Sequence, residues 1–190
     1  MTQVSIIGTG NMGQAIAGIV SKGGNTAELI GHTDTDTAVS GDIVVLAVPH
    51  PAVAEVISQR GEQLAGKVIV DITNPVDFQT FQLSPPADSS SAAQIAAALP
   101  QAKVLKAFNT NFAPTLAAGS VGAQPTTVLI AGDDADAKAL LAEVVSAGGV
   151  NAIDAGPLDR ARELEALGYL QLTLALGEKL PWTGGFAVAS

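Results

Sequence analysis

The chain has 190 residues, 47% of them apolar, a net charge of −9 from 18 acidic and nine basic side chains, and no cysteine. That length supports one well-buried domain, and the lack of cysteine excludes disulfides, thiolate metal sites and cysteine nucleophiles. The acidic balance, unbroken by any Lys/Arg cluster, argues against nucleic acid, and no apolar run approaches the roughly 18–20 residues that span a bilayer.

Taken in chain order, short β-branched runs alternate with alanine-rich helical stretches. A strand at residues 3–8 meets the glycine-rich turn Gly8-Thr9-Gly10-Asn11-Met12-Gly13, and a helix follows over 11–22. Further strands are expected at 27–31, 42–47, 67–72, 103–107, 126–131 and 151–154, with helices at 51–64, 89–99, 134–147 and 160–178. Runs such as Ile43-Val44-Val45-Leu46-Ala47 and Val68-Ile69-Val70 are apolar on both faces, as parallel strands covered by helices are. The alternation predicts an α/β fold, a Rossmann-type doubly wound parallel sheet with a short C-terminal helical extension. Residues 1–155 form the dinucleotide-binding domain in this reading, and 156–190 a helix and tail that do not fold independently. The stretch 74–87, rich in Pro, Asp, Gln and Ser, reads as the longest irregular loop. The last helix carries leucines around more than one face; packing on its own sheet or on a partner subunit would each bury them. Met1-Thr2-Gln3 runs straight into a strand, with no basic region or cleavage site of a signal peptide. The expectation is a cytoplasmic protein.

Gly8-x-Gly10-x-x-Gly13, placed after a strand and opening a helix, has the context of a dinucleotide cradle. Gly8 permits the tight turn, Gly10 lets a pyrophosphate approach the backbone, and Gly13 lets helix and strand pack closely. Free N–H groups from about Asn11 to Gly13 then face the phosphates at the positive end of the helix dipole, and Asn11 is a candidate cap. The alternative is a glycine-rich turn that binds nothing; the repeated strand–helix units favour the cradle. The second strand ends in Gly31-His32-Thr33-Asp34. An NAD site places an acid at that strand end to hold the ribose 2′-OH. Glu28 falls too early for that and Asp34 slightly too late, so the reading is NADP, with His32 and Thr33 as hydrogen-bond partners of the 2′-phosphate.

Several segments resemble, in this order, the NADPH-dependent coenzyme F420 reductase family (F420:NADP oxidoreductases). They are Gly8–Gly13, Ala47-Val48-Pro49, Asp71-Ile72-Thr73-Asn74-Pro75, Lys106-Ala107-Phe108-Asn109-Thr110, Asp154-Ala155-Gly156-Pro157-Leu158 and Ala161-Arg162-Glu163-Leu164-Glu165. The oxidoreductase domain of the STEAP metalloreductases is similar too. The resemblance implies that Thr9–Met12 hold the pyrophosphate, and that Ala47, Val48 and Pro49 pack beside the ribose. It also implies that Asn74, Pro75, Phe108 and Asn109 bracket the nicotinamide. His32-Thr33 stand where the family commonly has Ser-Arg. Asn74 and Asn109 follow apolar strands, where open α/β sheets bind ligands; the alternative for both is an Asx-turn. His50, in Pro49-His50-Pro51, is either an acid/base or a surface residue at the start of a helix.

Two histidines without His-x-x-x-His spacing argue against a catalytic metal. With no Ser-His-Asp set and no paired carboxylates in a motif, positioning of two rings for hydride transfer accounts for the chemistry. The cofactor is NADP(H), and the acceptor a small redox molecule: F420, FMN or FAD. Pyrroline-5-carboxylate reductases share a Gly-x-Gly-Asn-Met-Gly start, but only 36 residues follow Asp154 here, too few for a helical substrate domain. The acceptor must then bind on the Rossmann domain, completed by the tail. Trp182, the single tryptophan, is either an aromatic wall of that pocket or, the preferred reading, an anchor in a homodimer formed through the C-terminal helix. The alternatives are an NADP(H)-sensing module without turnover and an imine or ketone reductase built at a dimer interface.

Overall fold

The computed structural model describes residues 1–189. Strand β1 (Gln3–Ile7) leads through helix α1 (Asn11–Lys22) to β2 (Thr26–Ile30), parallel to β1 and beside it. The chain then crosses to the other side of β1 as β3 (Ile43–Leu46), and α2 (Val53–Leu64) carries it to β4 (Val68–Asp71). A small hairpin of β5 (Val76–Asp77) and β6 (Gln82–Leu83) precedes α3 (Ser91–Ala98) and β7 (Lys103–Lys106). Next come α4 (Ala113–Ala118) and a second hairpin, β8 (Ser120–Val121) with β9 (Gln124–Pro125). The chain closes with β10 (Thr127–Gly132), α5 (Ala135–Ala147), β11 (Asn151–Gly156) and α6 (Ala161–Leu176).

Seven strands form one sheet in the order β11-β10-β7-β4-β3-β1-β2. Alternate side chains of each central strand feed opposite faces. Val4, Ile6, Ile43, Val45, Val68 and Val70 meet Ile16, Ile19 and Val20 of α1 together with Leu141 and Val144 of α5. Val44, Leu46, Ile69 and Val104 meet Val53 and Leu64 of α2 and Ile95 of α3 on the other side. Each such aliphatic side chain, taken fully out of water, contributes about 1.5–3 kcal/mol. Both faces are therefore covered, which is why these strands read as unbroken apolar runs rather than alternating ones.

The sheet departs from the all-parallel expectation at one end. Strand β10 runs antiparallel to β7, and β11 is parallel to β10, so the last two strands are reversed. A parallel neighbour needs a crossover that returns the chain along the length of the sheet. The segment after β7 forms the six-residue α4, which rises about 9 Å, and the small β8–β9 hairpin, and β10 starts from the same edge at which β7 ended. The stretch expected to be irregular, 74–87, contains the β5–β6 hairpin instead.

Helix α6 buries Ala161, Leu164, Glu165, Gly168, Gln171 and Ala175, a face at helical spacing that is small and polar as well as apolar. Leu170 and Leu176 point outward and are about half exposed, at 48% and 47%. Its inner face is made for a specific polar contact, which decides where the site lies.

Candidate active site

Strand order reverses between β1 and β3: β2 follows β1 on one side and β3 lies on the other. Ligands of open α/β sheets bind in the crevice at such a point, beyond the carboxyl ends of the strands. The glycine turn sits there. Gly8 has φ +124°, and a methyl group on it would lie 2.1 Å from the carbonyl oxygen of Ala47, at the end of β3. A methyl on Gly13 would lie 2.2 Å from Gly8 O. Both glycines are therefore required by the fold itself. Gly10 differs, because a methyl there would meet nothing within 4 Å. Its openness faces outward, which is the space a pyrophosphate would fill.

The start of α1 is also left open. Ser90 and Asp134 cap α3 and α5 through side-chain bonds to Ala93 N and Ala137 N, whereas α1, like α2, α4 and α6, has no side-chain cap, and its N-cap is Gly10. Asn11 is the first helical residue and not the cap that its side chain suggested. The unpaired N–H groups of the first turn are left for a ligand, with the helix dipole favouring an anion.

A cleft of about 360 Å³ opens beside this turn. It is lined by Asn11 and Met12 from the motif, Asn74 and Asn109 from two strand ends, and Asn111, Phe112 and Trp182. Phe108 shapes it through the backbone. With φ +62° and Asn109 N donating to Ala107 O at 2.8 Å, it forms a γ-turn, a strained conformation for a bulky residue. The Phe108 ring is buried in the core at 1% exposure, while the turn aims Asn109 at the cleft. Pro75 is likewise buried; it follows Asn74 and bends the chain away from the sheet.

The asparagines form a fixed set. Asn74 Nδ2 donates to Asn109 O at 2.8 Å, and Asn109 Nδ2 donates to Asn74 Oδ1 at 2.9 Å and to Leu164 O at 2.8 Å. Asn111 Nδ2 donates to Thr127 O at 3.1 Å. With the amide nitrogens committed to carbonyls, the orientation of both amides is set. Asn109 Oδ1 and Asn111 Oδ1 are then buried acceptors without a partner, an arrangement that costs free energy unless something donates to them. An amide N–H₂, such as that of a nicotinamide carboxamide, has the matching chemistry. Asn111 was not singled out from sequence, although its i, i+2 spacing from Asn109 in a segment leaving a strand was the available hint. Trp182 packs on Phe112 at 4.9 Å between ring centroids and lines the cleft while 47% exposed. Of its two sequence readings, the aromatic wall has this direct geometric support.

Beneath the cleft lies a buried ion network. Lys106 Nζ donates to Asp71 Oδ2 and Glu165 Oε1, both at 2.8 Å, and to Thr73 O. The side chains are 0%, 0% and 3% exposed. Glu165 also accepts from Ser91 N and Ala92 N at the start of α3. One cation thus ties β4, β7, α3 and α6 together. The sequence hint was a charge inside each of two apolar strands, and the register pairs Asp71 with Lys106. On top of this network α6 presses Gly168 against the asparagines: a methyl there would lie 2.3 Å from Asn74 Oδ1 and 2.9 Å from Asn109 O.

The remaining candidates are placed as follows. Val48 packs partly buried against the α2–α3 face and Pro49 is exposed, so both follow the β3 end next to Gly8. His32 and Thr33 are the exposed central residues of a turn from Gly31 to Asp34. His50 is half-buried and neither a surface residue nor part of the cleft; its Nδ1 meets Ser91 Oγ at 3.2 Å. Burial holds its pKa below the ordinary imidazole value, the Asp71 and Glu165 charges oppose that, and Lys106 adds to it. A groove of about 420 Å³ between α2 and α3 is lined by His50, Val53, Ile57, Ser91 and Ile95, and does not include the glycine turn. Among the described residues no three His, Asp or Glu side chains cluster as a metal site, and no helix is long and apolar enough to cross a membrane.

An open cradle at a strand-order reversal, an uncapped helix and buried amide acceptors one cleft away define a Rossmann-type dinucleotide-binding oxidoreductase. Comparison with known proteins makes this specific. Residues 3–75 match the family model described as NADP oxidoreductase, coenzyme F420-dependent. The F420-dependent NADP reductase of Methanocaldococcus jannaschii is 32% identical over 172 residues, covering 87% of this chain and 76% of that one. Metalloreductase STEAP3 of Rattus norvegicus is 34% identical over 135 residues, 71% of this chain but 27% of the relative. A solved structure from Arthrobacter sp. FB24, provisionally named an F420-dependent NADP-reductase, superimposes with a TM-score of 0.86 at 26% identity over the full length of both chains. The chain belongs to the F420-dependent NADP reductase family.

Proposed function

We propose that this chain transfers a hydride between NADP(H) and coenzyme F420. The observation that carries the reading is the cleft that joins Asn11 and Met12 of the cradle to Asn74, Asn109 and Asn111, the last two of which hold buried, unpartnered amide oxygens. When bound, the nicotinamide supplies the hydride and the deazaflavin accepts it. The chain's own residues bind and orient. Gly8, Thr9, Gly10, Asn11, Met12 and Gly13 hold the pyrophosphate through backbone N–H groups, and Ala47, Val48 and Pro49 border the ribose. His32 and Thr33 donate to the 2′-phosphate. Asn109 and Asn111 accept from the carboxamide and so fix which face of the ring is presented, with Asn74, Pro75 and Phe108 setting the position of Asn109. Trp182 and Phe112 wall the acceptor side and exclude water. Orientation of two reactants in a dry cleft is the main catalytic resource such a site needs.

In this reading residues 1–155 hold the dinucleotide and 156–190 complete the acceptor side. The outward leucines of α6, Leu170 and Leu176, are the surface for pairing in a homodimer, and the enzyme works in the cytoplasm. FMN and FAD are the alternative acceptors in this reading. The test mixes purified protein and NADPH with F420, FMN or FAD and follows loss of NADPH absorbance and bleaching of the acceptor. Turnover with F420 well above that with either flavin supports the proposal. Tight NADPH binding with no acceptor reduced would instead identify a sensor module.

A further inference from the structure

Sequence spacing leaves Asp34 four residues beyond the end of β2, but two successive turns bring it back. Asp34 N donates to Gly31 O at 3.2 Å, and Thr37 N donates to Asp34 O at 3.1 Å. Between these turns the Asp34 carboxylate folds over the strand end and accepts from Gly31 N at 2.8 Å. A methyl on Gly31 would lie 3.1 Å from Asp34 Oδ2 and 3.7 Å from Thr9 Cγ2. The carboxylate therefore lies against Gly31 at the strand end, on the side where Thr9 of the glycine turn also approaches. Arg60 supports it from α2. Its side chain is 6% exposed and donates from Nη1 to Thr37 O and from Nη2 to Asp34 O, both at 2.6 Å. No carboxylate pairs with this guanidinium among the described residues.

A carboxylate at the end of the second strand accepts a hydrogen bond from a ribose 2′-hydroxyl and repels a 2′-phosphate, whereas NADP sites usually place an arginine there. Here both elements are present in an unusual split. The acid is at the surface of the turn, and the arginine is below it, where its charge offsets part of the repulsion without reaching the surface. We propose that Asp34, held by Arg60, is the specificity-determining residue of the dinucleotide site, and that it gives this chain a narrow choice between NADPH and NADH. NADH is accepted through its ribose 2′-hydroxyl on Asp34, and NADPH through His32 and Thr33 with Arg60 beneath. The inference rests on the dinucleotide reading above.

The test is titration of NADPH and NADH against the wild type and Asp34→Asn, read by quenching of the single tryptophan, Trp182, and checked by calorimetry. Asparagine can still accept from Gly31 N, so the turn is retained, and a thermal melt verifies it. The wild type is expected to bind the two nucleotides within about tenfold of each other. Asp34→Asn is expected to weaken NADH about tenfold and tighten NADPH by a similar factor, the scale of one charge-assisted hydrogen bond. Equal effects on both nucleotides would mean a structural role only and would overturn the inference. So would a wild-type preference for NADPH of about a thousandfold or more. Binding of neither nucleotide would overturn the dinucleotide reading itself, and this inference with it.

Discussion

Replacing Lys106 by methionine removes the one cation at the crossing of four elements. Lys106 Nζ is 2.8 Å from both Asp71 Oδ2 and Glu165 Oε1, and none of the three side chains is more than 3% exposed. Methionine fills similar volume, so the cavity term is small and the effect comes from two carboxylates left without their counter-ion. Breaking a buried pair from one side costs about 3–5 kcal/mol, a large part of the roughly 5–15 kcal/mol that holds a domain together. At about 2–4 °C per kcal/mol for a domain of this size, the melting temperature should fall by about 6–20 °C. Thermal and urea denaturation followed by circular dichroism measure this. The neutral triple variant, D71N with K106M and E165Q, should recover most of the loss, because the cost lies in stranded charge rather than in a missing attraction. A K106M midpoint within about 2 °C of wild type would refute the reasoning, as would a triple variant no more stable than K106M.

Four further outcomes follow from the same geometry. Gly10→Ala should melt like the wild type, since nothing lies within 4 Å of the added methyl, yet bind NADPH at least about tenfold more weakly; Gly13→Ala, with Gly8 O at 2.2 Å, should lose both stability and binding. Gly168→Ala drives a methyl to 2.3 Å from Asn74 Oδ1, so it should cost about 1–3 kcal/mol of stability and lower kcat more than NADPH affinity, measured by denaturation and steady-state kinetics. Trp182→Ala should raise KM for the acceptor and leave the calorimetric Kd for NADPH within about twofold, which is well under 1 kcal/mol. His50 is held below its ordinary value of 6.5, chiefly by burial, so the folded state binds fewer protons there than the unfolded chain. Its contribution is complete above pH 6.5 and is lost as pH falls through the lower folded value. His50→Asn should flatten that acid-side decline in a denaturation series, and an NMR titration should place the imidazole midpoint below 6.5.

Local and periodic features were legible in the chain itself. The glycine turn, the doubly covered strands and the order of strand and helix depend on neighbours a few residues apart. Steric rules for glycine and the period of apolar side chains act at that range. Even Asn74 and Asn109 could be located, because a polar residue ending an apolar strand has few other places to go. Tertiary structure decided the rest. The reversal of β10 and β11 followed from how far a six-residue helix can carry the chain. The partners of Lys106 come from strand register and from a helix nearly sixty residues later, and no spacing rule pairs Lys106 with Glu165. Whether Asp34 lies too far along depended on two turns and on an arginine reaching them from α2. A sequence specifies which groups are present and how the backbone turns beside them. Whether two groups meet across the fold is set by the packing of all the elements between them, and in this protein that packing buries the unpaired amide oxygens, sets Trp182 on Phe112 and folds the Asp34 carboxylate back over Gly31.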